Sequence, residues 1–254
     1  MKTVEQRHQF ILQRLNQDGF VRVQDLSDSL GVTGTTIRKD LRILEEQHAL
    51  TRNHGSASPV VQRVVDLPVQ EKSRIRAAQK ARIARAAAAL VAPEDSIILT
   101  SGSTIEAFAA HLHPQGALNV VTPSLRVGII LNDCENVSTL MLGGHIVRKS
   151  LSVRDGYTMD GLRNVRCSKL FFSCDGLDAD GGVTTAFIEE ARMTRAMMES
   201  VSEVVLLTDS SKIGKAGYGK ICSLEEIDTL ITDSEIPDNF RTRLESLGVR
   251  VIIG

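Results

Sequence analysis

The spacing of apolar positions changes near residue 58, and the change divides the chain in two. Before it, "RHQFILQRLNQDG" places Ile11, Leu12 and Leu15 on one helical face and predicts a stop at Gly19. "FVRV" is long enough only for a short strand. "VQDLSDSLG" predicts a second short helix, with Leu26 and Leu30 four apart and Gly31 as its stop. Thr33 then caps a third helix whose apolar positions Ile37, Leu41 and Leu44 follow the i, i+4, i+7 pattern. "LTRNHGSA" reads as a strand, a turn at Gly55 and a return strand. From Ser58 the pattern weakens and Pro59 and Pro68 interrupt it. The expected division is therefore a domain over 1–57, a linker over 58–72 and a second domain over 73–254.

The second domain opens on "SRIRAAQKARIARAAAALV", which predicts one alanine-rich helix ending before Pro93. Apolar runs such as "SIILTS", "NVVTPS", "VSTLMLGG", "KLFFSCDG" and "EVVLLTDS" follow, alternating with helical patterns such as "EEARMTRAMMESV". That alternation predicts an α/β fold, a mostly parallel sheet with helices on both faces.

Composition narrows the class. The 254 residues are 42% hydrophobic and 24% charged, ordinary for a globular chain, and no run approaches the roughly 18 apolar residues of a membrane span. "MKTVEQRHQF" has no apolar signal-peptide core, so a cytoplasmic protein without membrane contact is expected. Two Tyr, seven Phe and no Trp predict an aliphatic core. Cys134, Cys167, Cys174 and Cys222 lie far apart with no Cys-x-x-Cys spacing, which predicts reduced thiols and neither a metal site nor a cofactor.

Two short helices joined through "GVT" fit a helix-turn-helix, in which the start of the second helix meets base edges in the major groove. The residues so placed are Thr33, Thr35 and Thr36, with Arg38 and Lys39 one turn on. Threonine can hydrogen-bond a base or touch a thymine methyl, and Arg can grip guanine or a phosphate. Arg52 and His54 on the hairpin are placed as a wing. Thr33 acting only as a cap, with Arg38 and Lys39 on a solvated face, is the alternative. Net charge does not decide: it is −1 overall, +1 over 1–57 and +5 over 59–90, and phosphates are neutralised by the local face.

In the second domain, "IILTSGSTIEAFA" is strand, loop, helix. Gly102 lets backbone approach a ligand, while Ser101, Ser103 and Thr104 stand at a helix N-terminus, where unpaired amides and the helix dipole attract anions. Ser and Gly also serve such turns for geometry alone. "LGGHIVRKS" sets Gly143 and Gly144 at a strand end with Arg148 and Lys149 behind, either pocket backbone with a cation or a solvated basic loop. Asp175 falls at the carboxyl end of a strand, where open parallel sheets bind ligands. In "TDSSKIG" a strand ends at Asp209. That carboxylate could accept sugar hydroxyls while Lys212 offers charge to a phosphate, or the two form a surface salt bridge. "GKAGYGKI" has phosphate-loop spacing, but Ile221 stands where Ser or Thr would hold magnesium.

Arg7, Ile11 and Leu15, followed by Thr33, Thr36, Ile37, Arg38, Lys39, Asp40 and Leu41, resemble the helix-turn-helix signature of the DeoR family of bacterial sugar-catabolism regulators. "RNHGSA" is similar to that family's wing, with Ser56 replacing its second glycine. "TGTTIRKDL" and "ICSLEEID" resemble the glucitol-type repressors within it. The likeness extends over nearly the whole chain. It implies a winged helix-turn-helix domain followed by an α/β sensor domain resembling sugar-phosphate isomerases, whose loop at 101–104 holds a phosphate. It also implies effector roles for Lys72 and Lys80 beside Asp209 and Lys212, and no catalytic residue. The expected function is a regulator, acting as repressor, of a sugar or polyol catabolic operon. Its partners would be double-stranded operator DNA, a phosphorylated sugar or polyol, and further copies of itself in a homodimer or homotetramer. The alternative is an isomerase-like enzyme with an appended DNA-binding domain, using Asp175, Asp209, Glu189 and Lys212 for proton transfer.

Overall fold

The computed structural model describes residues 3–18, 20–47, 49–58 and 62–254. It separates into two compact units, residues 1–62 with 237–240, and residues 63–236 with 241–254.

The first unit begins with helix α1 (Val4–Asp18), strand β1 (Val21–Arg22), helix α2 (Val23–Leu30) and helix α3 (Gly34–Glu46). The stop expected at Gly19 lies outside the described residues. α2 ends on Gly31 in the left-handed region, and the Thr33 hydroxyl accepts the Thr36 amide to start α3. Strands β2 (Thr51–Asn53) and β3 (Ser56–Ser58) form the hairpin, and β1 pairs antiparallel with β3. Gly55 turns the hairpin at φ 74°, and its carbonyl accepts the Val23 amide at 2.9 Å, tying the turn to the start of α2. Ser56 pairs with Arg22 and Asn53 at an ordinary negative φ, so this wing does not require the family's second glycine.

The periodic positions close one core: Ile11, Leu15, Leu26, Ile37, Leu41, Leu44, Leu50 and Ala57 are nearly or fully buried. Each large aliphatic side chain there contributes about 1.5–3 kcal/mol by leaving water. A polar lock crosses that core. Arg7 donates from Nε and Nη2 to the two oxygens of Asp40 at 2.7 and 3.0 Å, joining α1 to α3, and Asp40 is 2% exposed. The pairing holds the Arg7 guanidinium above its usual pKa, chiefly through the hydrogen bond to Asp40. Asp40→Asn keeps the volume but turns one acceptor into a donor facing Arg7. It should lower the unfolding midpoint of this domain by at least about 5 °C in calorimetry and weaken DNA binding with it.

The second unit holds a seven-stranded, wholly parallel sheet: β4 (Ser96–Leu99), β5 (Leu118–Thr122), β6 (Val137–Met141), β7 (Cys167–Phe172), β8 (Val201–Leu207), β9 (Thr229–Thr232) and β10 (Arg250–Ile253). Its spatial order is β10-β9-β8-β7-β4-β5-β6. Helices α5 (Ala77–Ala88), α6 (Ser103–Ala110) and α7 (Leu125–Asn132) cover one face through Ile83, Ala87, Ile105, Phe108, Val127 and Leu131. The other face carries α8 (Ile188–Met198), with Ala191, Met193 and Met197 buried. The core is mostly aliphatic as expected, but Phe108 packs against Phe171 with ring centroids 4.7 Å apart and the rings tilted by 48°.

Two expectations change. The described part of the expected linker, residues 62–72, carries structure: Val64 donates its amide to Ala216, and helix α4 (Val69–Arg74) begins inside that span. The interruption at Pro59 lies outside the described residues. The long alanine-rich helix expected from Ser73 is broken, because Ile75 is extended and Arg76 is left-handed at φ 53°. The cause is distant in sequence. The Arg76 guanidinium is drawn to Ser210, Asp233 and Glu235 at 3.1, 3.3 and 2.9 Å, and to Asp209 at 3.3 Å.

Candidate functional site

On the first unit the α3 start divides its polar residues by task. Thr33 and Thr36 are spent locally, with hydroxyls 3.0 Å apart and the Thr33 oxygen on the Thr36 amide. Thr35, Arg38 and Lys39 are exposed, and no carboxylate among the described residues pairs with either cation. On the wing, His54 is exposed in the turn. Arg52 is not free: its amide donates to Glu45 Oε1 at 3.0 Å and its guanidinium lies 3.5 Å from Oε2, so α3 itself orients the wing.

On the second unit, the strand order reverses direction between β4 and β7, which are neighbours in the sheet although β5 and β6 intervene in the chain. Chains leaving such neighbours diverge and open a crevice at their carboxyl ends. A cleft lies there, lined by Ser101–Thr104 after β4 and by Ser173–Asp175 after β7. Gly102 makes the close approach possible. Its φ of 122° suits only glycine, and a Cβ there would sit 2.6 Å from Ser173 Oγ. α6 starts immediately after it, and no described residue accepts from the amides of Ser103 and Thr104. Their side chains and that of Ser101 are buried against the cleft.

The wall opposite is charged. Lys72, from α4, places Nζ 2.7 Å from Asp175 Oδ1 and 3.9 Å from Asp66, and Lys149 meets Asp66 at 2.9 Å. The second oxygen of Asp175 accepts from the Thr185 hydroxyl and the Ala186 amide at 3.1 and 3.2 Å. A small antiparallel sheet of Gly176–Asp178, Gly182–Thr185 and Gly219–Cys222 brings Thr185 there. Burial alone would raise the Asp175 carboxyl. The charge and hydrogen bond of Lys72, with Lys212 and the Ala186 amide, outweigh it and hold the pKa below the ordinary value. Lys80, 4% exposed, donates to the carbonyls of Lys72 and Ile75 at the end of α4, and burial lowers its pKa. Arg154 stacks over the Phe187 ring at 4.9 Å. Lys212 lines the cleft and pairs with no described carboxylate. Burial pushes the Cys174 thiol up to about 12, so it is an inert wall group. The lining thus carries five cations, Lys72, Lys80, Lys149, Arg154 and Lys212, against Asp66, Asp175 and Glu190.

Most residues singled out from sequence meet in this cleft: Lys72, Lys80, Ser101, Gly102, Ser103, Thr104, Asp175 and Lys212. Others do not. Gly143 and Gly144 are exposed and outside the lining, as is Arg148, while Lys149 and Ser150 from the same stretch, and Arg154 just beyond it, reach in. Asp209 is 2% exposed, also outside the lining, and faces Arg76; it caps the turn Ser210–Lys212 through the Ser211 amide. It therefore holds the α4–α5 junction rather than the cleft surface. Glu189 is exposed, and its neighbour Glu190 is turned inward by the first turn of α8. "GKAGYGKI" lies on the strands Lys215–Ala216 and Gly219–Cys222 and opens no helix.

Residues 7–62 match the DeoR-like helix-turn-helix domain, and residues 75–234 match the DeoR C-terminal sensor domain. The chain belongs to the DeoR family. A putative aga operon transcriptional repressor of Escherichia coli O157:H7 is 36% identical over 253 residues, covering 99% of this chain and 94% of that protein. The glycerol-3-phosphate regulon repressor of Escherichia coli K12 is 29% identical over 232 residues, covering 91% of this chain and 92% of that protein. Ribose 5-phosphate isomerase A of Methanocaldococcus jannaschii overlaps 53% of each chain at 18% identity and a TM-score of 0.38, a likeness that carries no argument about function. For this DeoR-family chain no helix among the described residues is long and apolar enough to cross a membrane.

Proposed function

We infer that this DeoR-family protein is a cytoplasmic repressor of a sugar or polyol catabolic operon, released from its operator by a phosphorylated sugar or polyol. The observation that carries the reading is the cleft at the β4–β7 reversal. There the amides opening α6 and Lys212, without partners among the described residues, stand beside carboxylates and hydroxyls. An excess of two positive charges in the lining suits one phosphate monoester dianion, and Ser, Thr and carboxylate groups suit a polyhydroxylated body. Thr35, Arg38 and Lys39, exposed on α3, are free to read DNA, with Arg52 and His54 on the wing. One such domain is too small to select a genomic site, so two or four copies act together on paired half-sites. The protein senses its ligand without turning it over. A coupling of about 1–3 kcal/mol between ligand and operator loosens DNA by up to roughly 150-fold.

A thermal-shift comparison of sugar and polyol phosphates, each beside its unphosphorylated twin, tests this. A ligand at about 100 times its Kd adds roughly 2.7 kcal/mol, which at this size raises Tm by about 5–10 °C. One ester should act and its twin should not. Equal shifts by both, or none across the set, would remove the phosphate reading, and consumption of an ester would make the protein an enzyme.

A further inference from the structure

The carboxylates of the cleft differ in how far the protein has already used them. Asp175 has one oxygen on Lys72 and the other on Thr185 and Ala186. Asp66 has one oxygen on Lys149 and the other facing Lys72. Glu190 lines the same cleft, yet no Lys or Arg nitrogen among the described residues lies within 4.0 Å of its oxygens. The hydroxyl beside it, on Thr185, has a single proton and must share it with Asp175, which lies 3.1 Å away. The cations divide in the same way: Lys72 and Lys149 are paired, Lys80 serves two carbonyls, Arg154 lies over the Phe187 ring, and Lys212 has no carboxylate partner among the described residues.

We propose that Glu190 is the specificity-determining residue of the cleft, accepting a hydroxyl of a phosphorylated polyol or sugar whose phosphate lies at Lys212 and the start of α6. The proposal rests on the phosphate reading above and adds which side chain tells one ester from another. An anion held only by its phosphate would be bound alike whatever it is attached to. A carboxylate placed to accept from a hydroxyl discriminates, because a ligand lacking that group strips water from it and leaves it short of a donor. Burial, and secondarily the charge of Asp175, push the Glu190 carboxyl above its ordinary pKa, and Arg154 and Thr185 offset this only in part. A donating hydroxyl supplies what that group lacks.

The test is calorimetric titration of the full-length protein with inorganic phosphate, glycerol 3-phosphate, sorbitol 6-phosphate and galactose 6-phosphate. In the unaltered protein at least one ester should bind about 10-fold or more tighter than inorganic phosphate. Glu190→Ala should remove that advantage, a loss on the order of 10- to 100-fold for the ester, while inorganic phosphate moves less than about twofold. Glu190→Gln, which keeps the volume and one carbonyl acceptor, should retain part of the advantage; a larger loss than in Glu190→Ala would count against the proposal. Equal weakening of ester and phosphate by Glu190→Ala, or an unweakened ester, overturns the assignment. Phosphate binding with no ester preference in the unaltered protein also overturns it and leaves the anion cradle standing. Silence from every probe brings down both.

Discussion

Gly102→Ala should weaken the phosphate ester that stabilises the unaltered protein by roughly 5- to 150-fold, the equivalent of about 1–3 kcal/mol of backbone strain met only when the loop holds its binding geometry. Two independent constraints meet at this residue. Its φ of 122° with ψ of 154° lies where L-residues cost about 1–3 kcal/mol, and the new methyl would stand 2.6 Å from Ser173 Oγ. Ser173 can swing its hydroxyl aside, but the φ cost is relieved only by a shift of the loop backbone, and the loop carries the amides of Ser103 and Thr104 with it. The operator complex should therefore persist at ester concentrations that dissolve it in the unaltered protein. Titrating ester against a preformed complex measures this. Ser173→Gly in the same chain removes the clash but not the φ penalty, so it should recover the affinity only in part. Full ester response in Gly102→Ala would mean that the loop is not where the phosphate sits.

Arg38→Ala should cost about 1–3 kcal/mol per subunit in operator binding, and on paired half-sites the two losses multiply to between about 30-fold and well over 1000-fold. Arg38 is exposed, one turn into α3, with no described carboxylate to hold it back. The loss should fall on the operator and not on unrelated DNA. Lys39→Ala should behave differently, weakening all sequences similarly and reducing the slope of log Kd against log salt by about one per subunit. Fluorescence anisotropy at several salt concentrations separates the two. Arg42, already paired along the helix with Glu46 at 3.9 Å, is the control on the same helix. If Arg38→Ala binds operator normally, α3 is not the reading helix.

The helix-turn-helix was legible because it is built locally. Ile37, Leu41 and Leu44 point inward by helical period alone, Gly31 and Thr33 punctuate it, and no contact distant in sequence is needed to place them. The parallel sheet was legible for the same reason, since strand and helix alternate in the chain as they do in space. What escaped the sequence was decided by charges meeting across long separations. Nothing in an alanine-rich run announces that Arg76 will leave the helical region, because the carboxylates that draw it lie beyond β8 and β9. The same contact moved Asp209 from expected ligand acceptor to buried partner of Arg76. Glu190 was passed over for Glu189 because adjacent helical positions differ by about 100° in direction, which neither composition nor motif resolves. Gly143 and Gly144 marked a strand end correctly but not which of the following residues would turn toward the cleft.

The break at Arg76 also sets an order of assembly. Its partners Ser210 and Asp233 come 134 and 157 residues later in the chain. At a synthesis rate of about 5–20 residues per second, Arg76 waits roughly 7–30 s before either has even been made. Until then the alanine-rich segment has no reason to interrupt itself and can run as one continuous helix, with Lys72 and Lys80 carried on the same rod. The wall of the cleft that Lys72 and Lys80 form thus cannot be completed until residues far along the chain have been made. A nascent chain is blind to the metabolite until its last strands are in place.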